Sequence, residues 1–315
     1  MKKIILTGGS GFIGANLAQR LIHNGHEVHL LLRKRYHPWR LRAMKDDLHL
    51  HIVELQNSAQ LKRVFATVRP DWIFHTAVYG AYSSQQNLEE MIETNIDGTA
   101  KLLDAAALVG FEAFVNTGSS SEYGYVATPP RETTLLRPNS NYALTKAAAT
   151  HFAQLKAATT KLHIPTLRLY SVYGPYEAAT RLIPTLLQHA RKHRLPLLVG
   201  PTIARDFVYV DDVIDAYLKA AATRTTELGP IFNIGSGTQT TMRQLVALTK
   251  KDFHVTQKPN WGSMPNRAWD TSSWVANANK AKKQLHWKAK TPLKAGLHRT
   301  FEWLTEHQKE YGSIS

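Results

Sequence analysis

The stretch Ile4-Ile5-Leu6-Thr7-Gly8-Gly9-Ser10-Gly11-Phe12-Ile13-Gly14 decides the fold. Its apolar run reads as a buried parallel strand, three glycines follow at a three-residue spacing, and the apolar periodicity from Ala15 to Asn24 reads as a helix. Strand, tight turn and helix N-terminus in that order form an anion-binding device. Glycine tolerates positive φ and lets the backbone approach a pyrophosphate, whose charge is favoured by the free N–H groups and dipole of the helix start. The ligand expected here is a dinucleotide.

The rest of the chain bounds what can surround this device. With 315 residues it can bury a large core as one α/β domain, or as a large domain with a smaller one. No run of about 18 apolar residues occurs, so no membrane span is expected. The chain enters its first strand without a signal peptide's apolar segment, and it has no cysteine, which excludes disulfides and thiolate metal sites. A cytoplasmic enzyme is the expectation. The formal charge of +15 fits a nucleic-acid binder, a membrane-surface protein or an enzyme with phosphate-bearing ligands. Lys and Arg are scattered, and no nucleic-acid motif accompanies the longest cluster, Arg33-Lys34-Arg35 with Arg40 and Arg42 beyond. Phosphate-bearing small molecules are therefore expected as ligands, with neither a nucleic acid nor a membrane as partner. None of the 15 histidines sits in a His-Glu-x-x-His arrangement. His49 and His51, at strand spacing, read as surface residues, and no metal site is expected.

Outward from the glycines, Glu27 to Leu32 reads as a second strand, and the residue after it normally meets the adenosine ribose. An acid there would hydrogen-bond the 2′-hydroxyl and repel a 2′-phosphate. Arg33 and Lys34 stand there instead, and guanidinium binds phosphate through paired charge-assisted bonds, so NADP is the expected cofactor and NAD the alternative. Further strands are expected at Leu50–Leu55, Trp72–Ala77, Phe111–Thr117 and within Pro165–Val172, with one long helix, containing Asn95, over Leu88–Val109. His75 in the fourth strand reads as a satisfied core histidine.

Two later features carry chemistry. Tyr142-Ala143-Leu144-Thr145-Lys146 puts a phenol and an ammonium on one helix face. A phenol with an unperturbed pKa near 10 needs a neighbouring positive charge to ionise at neutral pH, and Lys146 is expected to supply it. About two dozen residues earlier runs Thr117-Gly118-Ser119-Ser120-Ser121-Glu122-Tyr123-Gly124. Chemistry at a carbinol or carbonyl needs a hydroxyl donor beside the tyrosine, and the serines of this loop can supply one.

Glycine spacing, serine loop and Tyr-x-x-x-Lys together resemble the extended short-chain dehydrogenase/reductase superfamily, in its nucleotide-sugar-modifying branch. The resemblance implies catalytic Ser119, Tyr142 and Lys146, with Lys146 also holding the nicotinamide ribose. It implies cofactor contacts at Gly8, Ser10, Gly11, Phe12, Ile13, Gly14, Glu54, Leu55, Thr76, Ala77, Thr117, Tyr170 and Val172. Substrate contacts would come from Tyr79, Ser120, Ser171, Arg205 and Arg267, the two arginines clamping a diphosphate. The chain departs from the pattern at Glu54, where aspartate is usual, at Ser171 for asparagine, at Asn277 for aspartate and at His286 for glycine. Sugar 4,6-dehydratases typically carry an acid or serine and then a glutamate after the catalytic hydroxyl. Here Ser120 and Ser121 stand in those places and Glu122 is displaced by one, so dehydration is disfavoured unless the register shifts.

The expected architecture is a Rossmann-type doubly wound parallel sheet with a smaller, discontinuous substrate-binding region. The dinucleotide domain spans 1–174, with 205–237 returning to it, and the substrate region is 175–204 and 238–315. The expected function is NADP(H)-dependent reduction of a nucleotide-linked 4-keto-6-deoxy sugar, similar to the CDP-abequose and CDP-paratose synthases. A 4-epimerase retaining NAD(P) uses the same residues, and an inactive dinucleotide sensor would show damage at Ser119, Tyr142 or Lys146, of which there is none. By the same resemblance a homodimer forms through the Leu88–Val109 helix and the segment after Tyr142.

Overall fold

The computed structural model describes residues 1–82, 84–267, 270–308 and 311. Seven parallel strands form the central sheet: β1 (Lys3–Thr7), β2 (Glu27–Leu32), β3 (Leu48–Ile52), β4 (Trp72–His75), β5 (Ala113–Ser119), β6 (Thr166–Leu169) and β10 (Ile231–Ile234). Their order is β10-β6-β5-β4-β1-β2-β3, with the reversal beside β1. A sheet covered on both faces needs apolar residues at successive positions, which is why Ile4, Ile5 and Leu6 are all fully buried. Ile4 and Leu6 pack with α1 (Phe12–His23) and α7 (Val210–Ala222). Ile5 points the other way, toward α2 (Ser58–Val68), α4 (Gly98–Val109) and α5 (Asn141–Thr160).

A second core gathers α6 (Leu182–Ala190), α8 (Met242–Asp252) and α10 (Leu293–Glu306) around Tyr173, Phe207 and Tyr209. Beside it lie two small ladders. β7 (Ser171–Tyr173) pairs in parallel with β9 (Phe207–Tyr209), and β8 (Ala204–Arg205) pairs antiparallel with β11 (Thr240–Thr241). α9 (Asn279–Gln284), with Leu285 as its C-cap, returns Ala281 and Leu285 to the main core. Of the segment Trp261 to Trp269, the last two residues lie outside the described residues, as do 309–310 and 312–315 of the C-terminal region.

The structure corrects several boundaries. β3 starts at Leu48 and ends at Ile52, so Glu54 and Leu55 lie beyond the strand, and β4 ends at His75, so Thr76 and Ala77 leave the sheet. The stretch read as one strand over Pro165–Val172 divides between β6 in the main sheet and β7 outside it. The helix expected over 88–109 is interrupted: α3 (Leu88–Met91) runs into a π-helical turn over Ile92–Asp97 before α4 begins. The wider turn suits Asn95, which is 1% exposed and accepts from Tyr79 N–H at 2.9 Å while donating to Tyr79 O at 2.8 Å and Thr145 Oγ1 at 3.0 Å. No helix among the described residues is long and apolar enough to cross a membrane.

Candidate active site

At the reversal of strand order the carboxyl ends of the strands open onto a cavity of about 910 Å³. The glycine turn forms its floor. Gly8 has φ +71°, and a Cβ there would sit 2.5 Å from Ala77 N; one on Gly14 would sit 2.2 Å from Gly8 O. Strand, turn and helix are therefore in backbone contact, closed by Gly11 N–H donating to Gly8 O at 2.9 Å. Gly11 is the N-cap of α1 and offers no side-chain acceptor, which leaves first-turn N–H groups of the helix for an anion. These are the features a dinucleotide pyrophosphate requires.

Beneath the turn His75 is fixed on both nitrogens. Its Nδ1 lies 2.7 Å from Thr7 Oγ1 and its Nε2 2.8 Å from Thr99 Oγ1. Thr99 already donates to Asn95 O at 2.7 Å, so it must accept from His75, which assigns the proton to Nε2 and makes Nδ1 the acceptor for Thr7. Burial, with the Lys146 charge nearby, drives the imidazole down to about 3. It is a neutral strut.

Past β2, Arg33 is exposed on the cavity wall. Lys34, expected at the same ligand, is not a wall residue: its backbone N–H donates to Glu54 Oε1 at 3.0 Å, and its side chain is exposed. Glu54 and Leu55, although beyond β3, reach the wall, as do all the other residues expected to meet cofactor or substrate. Thr117 does so with its hydroxyl engaged, donating to His75 O at 2.6 Å with Tyr217 Oη also at 2.6 Å.

At the reacting end, α5 begins at Ser140, whose hydroxyl accepts from Ala143 N–H at 3.2 Å and so fixes the turn carrying Tyr142. Lys146, one turn on, is 3% exposed, and burial pushes its ammonium down to about 8 against the opposing pull of Glu122. The Tyr142 phenol is raised by burial, and the groups that pull it back down are a hydrogen bond from Ser119 and the charge of Arg181. Lys146 is not among the groups that pull this phenol down, and desolvation outweighs those that do.

Ser119 ends β5 and caps the short helical turn Ser120–Tyr123: its N–H donates to Glu122 Oε1 at 2.8 Å and its Oγ accepts from Ser121 N–H at 3.2 Å. Glu122 is fully occupied. Thr150 Oγ1 donates to its Oε1 at 3.1 Å and Arg168 Nε to its Oε2 at 2.7 Å. Ser120 and Ser121 line the cavity, whereas Glu122 is not among its lining residues.

The far end of the cavity is cationic. Arg205, on β8, forms an ion pair with Asp270 and lies 5.5 Å from the centroid of the Trp274 ring, while Arg267 N–H donates to Asp270 Oδ2 at 2.8 Å. One carboxylate thus orders both arginine segments. The neighbouring Asp206 is fully buried and accepts from Ser236 N–H at 2.7 Å, Gly237 N–H at 2.9 Å and Ala276 N–H at 2.9 Å, which anchors the loop that presents Arg205. Ser171 is held by its N–H on Asp206 O at 3.0 Å.

Among the wall residues that escaped the sequence reading are Arg181 and Glu177. Arg181, the N-cap of α6, has its Nε 3.6 Å from Glu177 Oε1 and donates through Nη1 to Ala81 O at 3.3 Å. Burial raises the Glu177 carboxyl to about 7 and its Oε2 has no partner among the described residues. Their opposite charges four residues apart, directly after Tyr173-Gly174-Pro175, were the available signal.

A family model described as NAD dependent epimerase/dehydratase family matches residues 4–235. A trifunctional UDP-glucose 4,6-dehydratase/UDP-4-keto-6-deoxy-D-glucose 3,5-epimerase/UDP-4-keto-L-rhamnose-reductase of Arabidopsis thaliana is 26% identical over 327 residues, covering 100% of this chain and 48% of that protein. The chain thus spans about half the length of that relative. Among solved structures, UDP-glucose 4-epimerase of Thermotoga maritima with UDP-glucose superimposes with a TM-score of 0.88 at 26% identity, covering 97% of this chain and 99% of the other. MoeE5 in complex with UDP-glucose and NAD gives a TM-score of 0.85 at 28% identity, covering 97% and 99%.

Proposed function

The chain belongs to the NAD dependent epimerase/dehydratase family, and on that premise we propose that it is an NADP(H)-dependent reductase of a nucleoside-diphosphate-linked 4-keto-6-deoxy sugar. One observation carries this reading: a single cavity is lined by the glycine turn, by Ser119, Tyr142 and Lys146, and by Arg205, Arg267 and Arg181. A dinucleotide fits the first group, a carbonyl or carbinol the second, and a diphosphate the third.

The cofactor, when bound, supplies the hydride. Tyr142 gives its phenolic proton to the carbonyl oxygen as that oxygen gains charge, and the Ser119 hydroxyl donates to the same oxygen and orients it. Lys146, buried with its charge, holds the ribose and stabilises the phenolate that remains. Arg205 and Arg267 take the diphosphate through paired charge-assisted bonds, ordered beforehand by Asp270. Arg33, with no acid in its place after β2, accounts for the choice of NADP. Glu122 is spent on Arg168, so no carboxylate in the serine loop serves the proton transfer of a dehydratase.

A second reading has its own support: the likeness to a UDP-glucose 4-epimerase favours 4-epimerisation, with the same tyrosine acting first as base and then as acid. The purified protein separates the two. Reductase predicts an empty site that takes up NADPH and consumes it with a 4-keto sugar nucleotide. Epimerase predicts tightly held NAD released on denaturation, and turnover without net oxidation of added NADPH.

A homodimer is part of this reading. Leu88, Ile92 and Leu108 on the α3–α4 segment and Leu144, Phe152 and Leu155 on α5 are exposed apolar side chains on the two segments expected to meet a second copy.

A further inference from the structure

At the amino-terminal half of β2, away from the cavity, three potential metal ligands converge: a carboxylate oxygen of Glu27 and one ring nitrogen each of His29 and His49 all lie within 4.8 Å of one another. Neighbouring strands place them. Glu27 and His29 are two residues apart on β2, so they share a face of the sheet, and the register sets His29 opposite His49 of β3. The backbone ladder thus brings the three positions together. Arg33, on the cavity wall, is four residues beyond His29, roughly 13 Å along an extended strand, so the cluster is separate from the active site.

The hydrogen bonds around His29 complete the argument. Its Nε2 is 2.9 Å from Glu27 Oε1 and its Nδ1 is 3.0 Å from His51 Nε2. The Glu27 carboxylate only accepts, so His29 donates to it from Nε2 and accepts from His51 on Nδ1. A cation between Nε2 and Glu27 displaces the Nε2 proton, and with the proton moved to Nδ1 the ring is oriented by His51 behind it, as metal-bound imidazoles usually are. His29 is 8% exposed while His49 is open to solvent, so a cation enters from the His49 side and keeps a position for water. Two neutral imidazoles and a carboxylate suit zinc or a similar first-row divalent cation; magnesium and calcium prefer all-oxygen sets. Bonds of about 2.0–2.1 Å hold ligand atoms roughly 3.3 Å apart on a tetrahedral ion, so His29 Nε2 and Glu27 Oε1 open slightly from 2.9 Å to admit it and the His49 nitrogen adjusts by on the order of 1 Å, within reach of side-chain rotation. Lys3 of β1, opposite Glu27, is the positive charge the site has to tolerate.

We infer that Glu27, His29 and His49, with His51 behind His29, form a divalent-cation site that ties the edge strand β3 to β2. It is independent of the proposed reaction. The test is calorimetric titration of ZnCl2 into tag-free, chelator-stripped protein, with Co2+ as the spectroscopic stand-in. One equivalent should bind and raise Tm, and Co2+ should give the strong visible bands of a low-coordinate site. His49→Ala, at an exposed position, and Glu27→Gln should each abolish the one-to-one isotherm, and His51→Ala should weaken it about tenfold. Absence of saturable binding would overturn the inference, as would zinc affinity unchanged in His49→Ala and Glu27→Gln. In either case the four side chains would be only a hydrogen-bonded surface ladder.

Discussion

Arg168 donates through Nε to Glu122 Oε2 at 2.7 Å, and both side chains are sealed from solvent, at 1% and 0% exposure. The same carboxylate accepts from Ser119 N–H, so a buried ion pair between β6 and the loop after β5 sets where the Ser119 hydroxyl stands. Removing one partner of such a pair strands the other's charge in the interior. Glu122→Gln should therefore lower unfolding free energy by about 3–5 kcal/mol in urea melts. A catalytic glutamate would instead lose turnover with stability unchanged, and that result would reopen the dehydratase reading.

The ion pair also marks the limit of what could be read from residues alone. The strand-glycine-helix device, the sheet class and the shared helix face of Tyr142 and Lys146 were legible because each rests on local periodicity or fixed spacing, whereas Ser119, which lines the same cavity, was picked from three serines by the family resemblance. Glu122 was ambiguous because its role depends on Arg168, 46 residues later and on another strand. The π turn at Asn95 was invisible for a similar reason: its helical spacing is intact, and only the backbone of Tyr79 and the hydroxyl of Thr145 demand the wider turn. Arg181 and Glu177 were in plain view as an i, i+4 pair, but nothing local told them from a solvated face.

Asn95→Ala removes three hydrogen bonds at once and leaves the N–H and C=O of Tyr79 without that partner. A cost of about 1–3 kcal/mol is expected for the unsatisfied groups. Because Tyr79 is a wall residue, KM for the sugar nucleotide should rise more than kcat falls. Equal loss of both in steady-state assays, with unchanged stability, would argue against a positioning role.

Lys146 links function to instability. Its ammonium titrates near 8 in the folded chain against an ordinary 10.5, so the folded state binds fewer protons than the unfolded state between those values, and stability gains with rising pH across that window. Below about 8 both states are charged and the full burial penalty applies. Lys146→Met should be inactive yet more resistant to unfolding at pH 7, with the advantage shrinking as pH rises from about 8 toward 10.5. Melting curves at pH 7 and at the upper end of that window test the sign.

Arg33 lines the wall where the adenosine ribose is expected, whereas Lys34 does not, and Glu54 is engaged by the Lys34 backbone N–H. Arg33→Ala should weaken NADPH by about 1–3 kcal/mol, the range for a charge-assisted bond, and leave NADH nearly unchanged. Fluorescence titration of both cofactors decides it; equal weakening would remove the basis for NADP preference.

Tyr142 is raised by its own burial above the ordinary phenol value, so it is a protonated acid at neutral pH. That state suits reduction, in which the phenol must give a proton to the forming alkoxide, and it places the burden of stabilising the phenolate on groups that act once the ligands are in place. Tyr142→Phe keeps the ring and its packing but removes that proton. The chemical step should slow by about a hundredfold or more, as expected when a general acid is lost, while cofactor binding changes little. Ser119→Ala should slow the same step and cost about 1 kcal/mol of stability, because its hydroxyl also caps the turn Ser120–Tyr123 besides its bond to Tyr142. Single-turnover measurement with NADPH and a 4-keto sugar nucleotide separates chemistry from release. Wild-type rates in Tyr142→Phe would move the proton to another group on the wall, and Glu177, with its carboxyl at about 7 and one oxygen unpartnered, is the first to be tested.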